Sequence, residues 1–257
     1  MYHSIVYEVK DFVAKITLNR PKSLNAFTSE MNAEVTKAMK QAKNDSNVRC
    51  IVITGEGVGF CSGQDLLEVE EGANYGQIIR ERYSPMVLEI VTCEKPTIAA
   101  VNGVAAGAGF SLALACDFRL MKESAYFVNA FIHVGLVPDT GNLYFLERLI
   151  GYGRTLELAL LGEKINASRA LEWSLVNRVL SVEAFTEEVD FFAKKLSNLP
   201  TKTVGFIKSQ AQYASSNSFI DYLEREAQLQ TMAGRTDDHK EGVLAFKEKR
   251  IPKFVGK

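Results

Sequence analysis

Two turns of small residues, each following a strand-like run and opening into a helix, constrain this fold more than any other feature. The first is FCSGQDL at residues 60–66, and the second is NGVAAGAGF at residues 102–110. Such a turn leaves backbone N–H groups exposed at a helix N-terminus, where negative charge is stabilised. Repeated units of strand, turn and helix predict an α/β fold.

The composition limits the class of protein. The 257 residues are 47% hydrophobic and 24% charged, which is typical of one large globular domain. The formal net charge of −1 argues against a protein that holds nucleic acid by bulk electrostatics. No apolar run is long enough to span a bilayer, so we expect no membrane partner. The N-terminus has neither a basic stretch nor an apolar stretch, so we expect no secretion signal and a cytoplasmic protein.

Cysteine usage gives no sign of a metal centre. The four cysteines are Cys50, Cys61, Cys93 and Cys116, without a CxxC pair or a paired histidine spacing. We therefore expect reduced, mostly buried thiols, and neither a disulfide framework nor a metal site.

The hydrophobic pattern divides the chain into two regions. Strands and helices alternate in the first two-thirds, and from residue 186 the pattern is nearly all helical. We therefore predict a core over residues 1–195 and a C-terminal helical region over residues 196–257 that packs on it. The most loop-like segment is residues 70–76. Individual predictions are a hairpin at 5–7 and 13–18, strands at 50–54, 97–101, 118–121, 125–128 and 176–180, and helices at 28–42, 67–92 (interrupted), 110–116, 142–149, 155–161 and 167–174.

Asp139 is the carboxylate that we expect to do chemistry, although it has a simpler interpretation. It follows Pro138 and precedes a predicted helix, so it also fits a plain N-cap. Asp65 likewise fits a helix cap. A lone histidine in an apolar run, His133, is expected to be a packed core residue. The hydroxyl of Ser111 can return to a backbone carbonyl, and no pattern makes it a nucleophile.

The ordered set of motifs resembles the crotonase superfamily, which includes the enoyl-CoA hydratases and isomerases. The resemblance runs over essentially the whole chain. Its markers are LNRP at 18–21, LNA at 24–26, FCSGQDL at 60–66, PTIAAVNG at 96–103, CD at 116–117, GLVPD at 135–139, and EGVLAF at 241–246 before Lys249 and Arg250.

The resemblance implies a spiral of ββα turns with a C-terminal helical trimerisation region, in homotrimers that often pair into hexamers. It implies an acyl-CoA thioester as substrate, with coenzyme A as part of that substrate and no other cofactor. The thioester oxygen would accept hydrogen bonds from the N–H groups of Gln64 and Ala108. Asp139 matches the acid used by several isomerases of the family.

Further residues are expected to contact the substrate by the same resemblance. Phe131 would make the pocket apolar, which raises a carboxyl pKa. Phe246 and Lys249 would reach the coenzyme A of a neighbouring subunit. The coenzyme would lie along Lys22, Leu24, Ala26, Ser62, Gln64, Asp65 and Leu66.

Two departures from the hydratase pattern favour an isomerase. Hydratases of the family carry two glutamates at the positions of Ser111 and Phe131, and hydration needs groups that orient water and relay its proton. Three alternatives remain open: a hydratase with an unusual acid arrangement, an isomerase of linear 3-enoyl chains, and a subunit that binds acyl-CoA without turnover. The pattern is most similar to isomerases that rearrange a ring epoxide on coenzyme A in phenylacetate degradation. The sequence does not specify the acyl group.

Overall fold

The strands enter two sheets in alternation along the chain. The computed structural model describes residues 2–69 and 71–257. The first sheet has the spatial order β1 (Ile5–Lys10), β2 (Val13–Leu18), β3 (Cys50–Gly55), β5 (Thr97–Val101), β7 (Phe118–Lys122), β10 (Arg178–Leu180). The second has the order β4 (Gly59–Cys61), β6 (Val104–Ala106), β8 (Tyr126–Val128), β9 (Lys164–Asn166). Pairing is parallel except for β1 with β2 and β8 with β9.

The helices complete a ββα spiral with helices at its C-terminal end. They are α1 (Ser29–Asn44), α2 (Tyr75–Ile78), α3 (Ser84–Val91), α4 (Ala108–Ala115), α5 (Asn142–Leu161), α6 (Ala167–Glu172), α7 (Phe185–Ser197), α8 (Thr201–Ala214), α9 (Phe219–Gly234) and α10 (Asp237–Glu248). Each of β3, β5 and β7 in the first sheet is followed along the chain by a short strand of the second sheet. The chain therefore crosses from the first sheet to the second after each of these strands. The predicted α/β fold with a crotonase-type spiral is confirmed.

Most local predictions agree with this architecture. The N-terminal hairpin forms, and Thr28 caps α1 by accepting a hydrogen bond from the Met31 N–H over 3.1 Å. Helix α5 breaks at Gly151, between the two helices predicted there. All four cysteines are buried free thiols. The strands β4, β6 and β9, each three residues long, were not predicted.

Two predicted boundaries differ from the structure. The predicted division between residues 195 and 196 lies inside α7, whose buried face, including Phe185 and Val189, packs against the first sheet. The predicted loop at 70–76 includes the start of α2, and its residue Glu70 lies outside the described residues.

Among the described helices, none combines the length and apolar character that a membrane span requires.

Helix α4 carries one of the two turns into the core. All eight of its residues are buried, so it is apolar on every side. Phe110 on α4 stacks on Phe127 of β8 with ring centroids 4.3 Å apart, which fixes the helix against the second sheet. Residue Ala108 at its N-terminus therefore has a defined position at the edge of that sheet.

Candidate active site

The first turn presents the backbone N–H of Gln64. Gly63 before it has φ of +97°, a conformation that residues with a Cβ rarely adopt. On either side of Gln64 the backbone is fixed, because the Phe27 N–H donates to the Gly63 carbonyl over 2.7 Å and the Asp65 N–H donates to the Phe27 carbonyl over 2.9 Å. Among the described residues, the Gln64 N–H has no protein acceptor of its own. It is therefore available to a ligand.

The second turn presents the backbone N–H of Ala108 in the same way. Gly107 precedes it with φ of +51° and caps α4 without a side-chain hydrogen bond. A Cβ on Gly63 would lie 2.9 Å from the Ala106 carbonyl oxygen and 3.5 Å from the Ala108 nitrogen. The two turns are thus in direct contact, and within the described chain the Ala108 N–H also has no protein acceptor. Two amide donors at one edge of a pocket can stabilise an oxyanion.

Asp139 does not cap α5, so its carboxylate is free to face the pocket. Helix α5 begins at Asn142 with Gly141 as its N-cap residue, and no side chain caps it. The Asp139 carboxylate instead accepts a hydrogen bond from the Thr140 hydroxyl over 2.8 Å. Burial raises the pKa of Asp139 above its ordinary value, and the Thr140 hydrogen bond opposes that increase. A carboxylate with this environment suits proton transfer.

A cavity of about 130 Å³ joins the two turns and this acid. Its polar edge contains Asp139 and both turns, and its remaining wall is mostly apolar. The lining residues are Ser62, Gly63, Gln64, Leu66, Val69, Tyr75, Ile78, Ile79, Tyr83, Gly107, Ala108, Ala130, Phe131, Val134, Leu136 and Asp139. Asp139 is the one carboxylate among these described lining residues.

Tyr83 closes the far side of the cavity and holds the Gln64 side chain. It ends a π-helical turn, Ile79–Tyr83, a distortion often found at functional sites. The Tyr83 hydroxyl donates to Gln64 Oε1. Gln64 Nε2 donates to the Asp65 carbonyl over 3.2 Å and the Phe27 carbonyl over 3.4 Å. Burial raises the pKa of Tyr83, so its hydroxyl stays neutral.

Six of the predicted site residues line this cavity together: Gln64, Ala108, Asp139, Ser62, Leu66 and Phe131. The other predicted contacts lie outside its lining. Lys22, Leu24 and Ala26 are on a turn joined to Ser62, whose N–H donates to the Leu24 carbonyl over 3.0 Å.

Asp65 and the two C-terminal residues also lie outside the lining. The Asp65 carboxylate caps the turn Leu66–Glu68 at the Leu67 N–H, 3.1 Å away, and forms an ion pair with Arg20 at 2.9 Å. This confirms the interpretation of Asp65 as a cap. Phe246 on α10 and Lys249 just after it are exposed in the described protomer.

The remaining two sequence expectations had different outcomes. Ser111 is fully buried and its hydroxyl returns to the Gly107 carbonyl over 3.2 Å, as expected. The expectation that His133 packs in the core is wrong. His133 is exposed, and its Nε2 lies 3.0 Å from the Gly162 carbonyl oxygen, because the turn that carries it runs over the surface.

Sequence reasoning missed two polar residues of this site. Tyr83 shares one apolar face with Tyr75 and Ile79 at a spacing of four residues, a pattern that would have placed all three against a common surface. Thr140 had no comparable signal, because its hydrogen bond to Asp139 depends on a left-handed backbone at Thr140, with φ of +55°.

Known proteins resemble this chain over its whole length in sequence and in fold. The model of a family described as enoyl-CoA hydratase/isomerase matches residues 8–257. The chain is 40% identical to 1,2-epoxyphenylacetyl-CoA isomerase of Escherichia coli (strain K12), over all of both proteins. It is also 40% identical to a protein of Rhodobacter capsulatus named "Probable enoyl-CoA hydratase", over 100% of this chain and 99% of that protein. The crystal structure of enoyl-CoA hydratase from Bacillus anthracis matches with a TM-score of 0.93 and 33% identity, over 99% of this chain and 100% of that chain.

Proposed function

The chain belongs to the enoyl-CoA hydratase/isomerase family, and from this we propose that it is an acyl-CoA isomerase with Asp139 as its acid–base group. Enzymes of this family act on acyl-CoA thioesters. Identity alone does not separate the two reactions, since an isomerase and a hydratase are matched at the same 40%. The observation that carries the proposal is that Asp139 is the single carboxylate among the described residues lining the cavity, which both amide donors also line.

The proposed reaction moves one proton. The thioester oxygen accepts hydrogen bonds from the Gln64 and Ala108 N–H groups, and Asp139 removes a proton from the carbon between the thioester carbonyl and the double bond. The electron pair passes to the thioester oxygen as an enolate, which each donor stabilises by about 3–4 kcal/mol. Asp139 then returns the proton to a different carbon, and the double bond has shifted.

Hydration is the weaker candidate because the described lining residues of the pocket offer no second acid to a water molecule. The Ser111 hydroxyl is engaged by backbone carbonyls and by the Asn142 side chain. The Phe131 ring is apolar, and it approaches within 3.9 Å of where a Cβ on Gly107 would lie. Ring-epoxide rearrangement is the finer alternative, supported by the isomerase relative that is named for an epoxyphenylacetyl thioester.

The C-terminal helices support a homotrimer in this proposal. Leu229 is buried within the protomer, while Leu223 on the same helix is 46% exposed. Several further apolar side chains of this region are exposed, and a large amount of exposed apolar surface is a feature of interaction sites. They are Phe219, Ile220, Met232, Val243, Leu244 and Phe246. A neighbouring subunit would cover this face and would bring Phe246 and Lys249 to a coenzyme A that lies along Lys22, Leu24 and Ala26.

The Asp139→Asn variant tests the acid–base role. Asparagine keeps the shape and can still accept the Thr140 hydrogen bond, but it cannot take up a proton. We expect isomerisation of 3-enoyl-CoA and exchange of substrate hydrogens in deuterated water to fall about 10²–10⁴-fold, with coenzyme A binding retained.

A carboxylate outside the pocket provides the control. Glu157 forms an ion pair with Arg169 at 3.0 Å, so Glu157→Gln makes the same chemical change elsewhere and should leave the rate unchanged. Full exchange in Asp139→Asn would remove Asp139 from the mechanism and reopen the hydratase alternative. No exchange in the wild-type protein would favour the non-catalytic acyl-CoA-binding subunit.

A further inference from the structure

A buried chain of three polar side chains lies directly behind Asp139. Asn129, Asn142 and Ser111 are all at most 1% exposed. Asn129 Nδ2 donates to Asn142 Oδ1 over 2.9 Å, and Asn142 Nδ2 donates to Ser111 Oγ over 3.2 Å. Because the Asn142 amide donates to a lone pair of the Ser111 oxygen, the Ser111 hydroxyl proton points toward other acceptors. These acceptors are the backbone carbonyls of Gly107 and Asp139, each 3.2 Å away.

The two acceptors of Ser111 belong to opposite parts of the site. The Gly107 carbonyl is in the same peptide group as the Ala108 N–H, so a hydrogen bond to that carbonyl polarises the N–H toward stronger donation. The Asp139 carbonyl belongs to the residue that carries the carboxylate. One hydroxyl therefore joins the peptide of an amide donor to the backbone of the acid.

The backbone after Asp139 needs such support. Thr140 and Gly141 both have left-handed backbones, with φ of +55° and +77°. A β-branched residue in this conformation is a genuine outlier, and the left-handed region costs about 1–2 kcal/mol. Such strain persists only where surrounding contacts over-determine the backbone. Here the Asp139 carbonyl accepts both the Ser111 hydroxyl and, over 3.0 Å, the Asn142 N–H.

We infer that Ser111 is a positioning residue, which with Asn142 and Asn129 fixes the Asp139 carboxylate relative to the Ala108 N–H. This inference rests on the proposed function, since it assigns Asp139 the proton transfer. Ser111 lines no part of the cavity among its described residues, so it acts only through its neighbours.

Ser111→Ala removes the hydroxyl and leaves the Asn142 amide without its buried acceptor. The turn after Asp139 then relaxes, and a displacement of about 1 Å at a reacting group costs on the order of 10²-fold in rate. We expect kcat for 3-enoyl-CoA isomerisation to fall about 10- to 100-fold, while KM changes less than about threefold because the pocket wall is intact. The acid limb of the pH–rate profile, which reports Asp139, should shift its midpoint.

Ser197 provides a matched control. It is 1% exposed, and its hydroxyl donates to a carbonyl of its own helix, that of Lys194, over 3.0 Å. Ser197→Ala thus removes a comparable buried hydroxyl with no link to the pocket, and it should keep the wild-type kcat and the wild-type acid limb. If Ser111→Ala does not fold, Ser111→Cys keeps the volume with a much weaker donor and is put through the same measurements.

The outcomes separate this inference from the proposed function. A folded Ser111 variant with the wild-type kcat overturns the inference, and so does a lower kcat with an unchanged acid limb, because the hydroxyl would then act on something other than Asp139. In both cases Asp139→Asn would still lose activity. An active Asp139→Asn enzyme instead overturns the proposed function itself.

Discussion

Replacing Gly63 by alanine should damage catalysis by disturbing the contact between the two turns. The new Cβ would lie 2.9 Å from the Ala106 carbonyl oxygen, closer than real Cβ atoms come to backbone, and 3.5 Å from the Ala108 nitrogen. The contact that has to give way is the one between the two turns that carry the amide donors. The Gly63→Ala variant therefore changes the separation of the Gln64 and Ala108 N–H groups.

The size of the effect follows from two terms. A backbone at φ of +97° disfavours alanine by about 1–2 kcal/mol, and overpacking typically costs about 1–3 kcal/mol. The free energy of unfolding should therefore fall by roughly 2–5 kcal/mol. Misplacing one donor costs about 2.7–4 kcal/mol in the transition state, which corresponds to a fall in kcat of about 10²–10³-fold.

The assay is steady-state isomerisation of 3-enoyl-CoA, with thermal melting measured on the same protein. Gly72→Ala is the matched control, because Gly72 also has a positive φ of +77° but no described heavy atom lies within 4 Å of its added Cβ. That variant should lose some stability and keep its kcat. A folded Gly63→Ala enzyme with the kcat of the Gly72→Ala control would refute the role of the two turns.

The remaining predictions concern pH, reaction class and assembly. Burial raises the pKa of Asp139, so kcat/KM should fall as pH decreases through a midpoint above the ordinary carboxyl range, and a midpoint within that range would contradict this. Because the folded-state pKa of Asp139 is raised, its contribution to stability is fully present below the unfolded-state pKa and is lost as pH rises through the folded-state pKa. At pH 7 that contribution is lost, so thermal melting should find Asp139→Asn at least as stable as wild type. Crotonyl-CoA hydration should be slow or absent, and the specific activity of a dedicated hydratase would overturn the isomerase proposal. Light scattering at micromolar concentration should show that the wild type is a trimer or hexamer. Leu223→Glu should dissociate it, whereas the control Phe191→Glu, on the exposed face of α7, should not. A monomeric wild type would contradict the proposed assembly.

The sequence predicts those parts of the fold that rest on long, regular patterns. The hairpin, helix α1 and the buried strands β3 and β5 follow from periodicity alone. The second sheet does not follow from the sequence, because β4 and β6 are three residues long and exist only by pairing with strands distant in the chain. The turns of the site lie next to these short strands, so their mutual contact is a tertiary property.

The same distinction applies within the site. The two turns could be located because glycine-containing turns have a strong local signal. The roles of Gln64 and Ala108 came from the resemblance to the crotonase superfamily. Tyr83 could not be assigned to Gln64, because that contact joins residues 19 positions apart across a π-helical turn that no sequence pattern indicates.

Asp139 shows why a local rule fails at a position proposed to carry the chemistry. A proline, an aspartate and a threonine before a helix are typical of an N-cap, yet α5 begins three residues after Asp139 and Gly141 takes the cap position. The cap is lost because the left-handed backbone at Thr140 turns the chain once more before the helix starts. That conformation is unfavourable by itself and is held by hydrogen bonds from Ser111 and Asn142, residues whose local sequence gives no hint of it. The carboxylate is therefore released from a stabilising structural role into an apolar cavity at a cost in stability, and local rules are expected to fail at such functional positions.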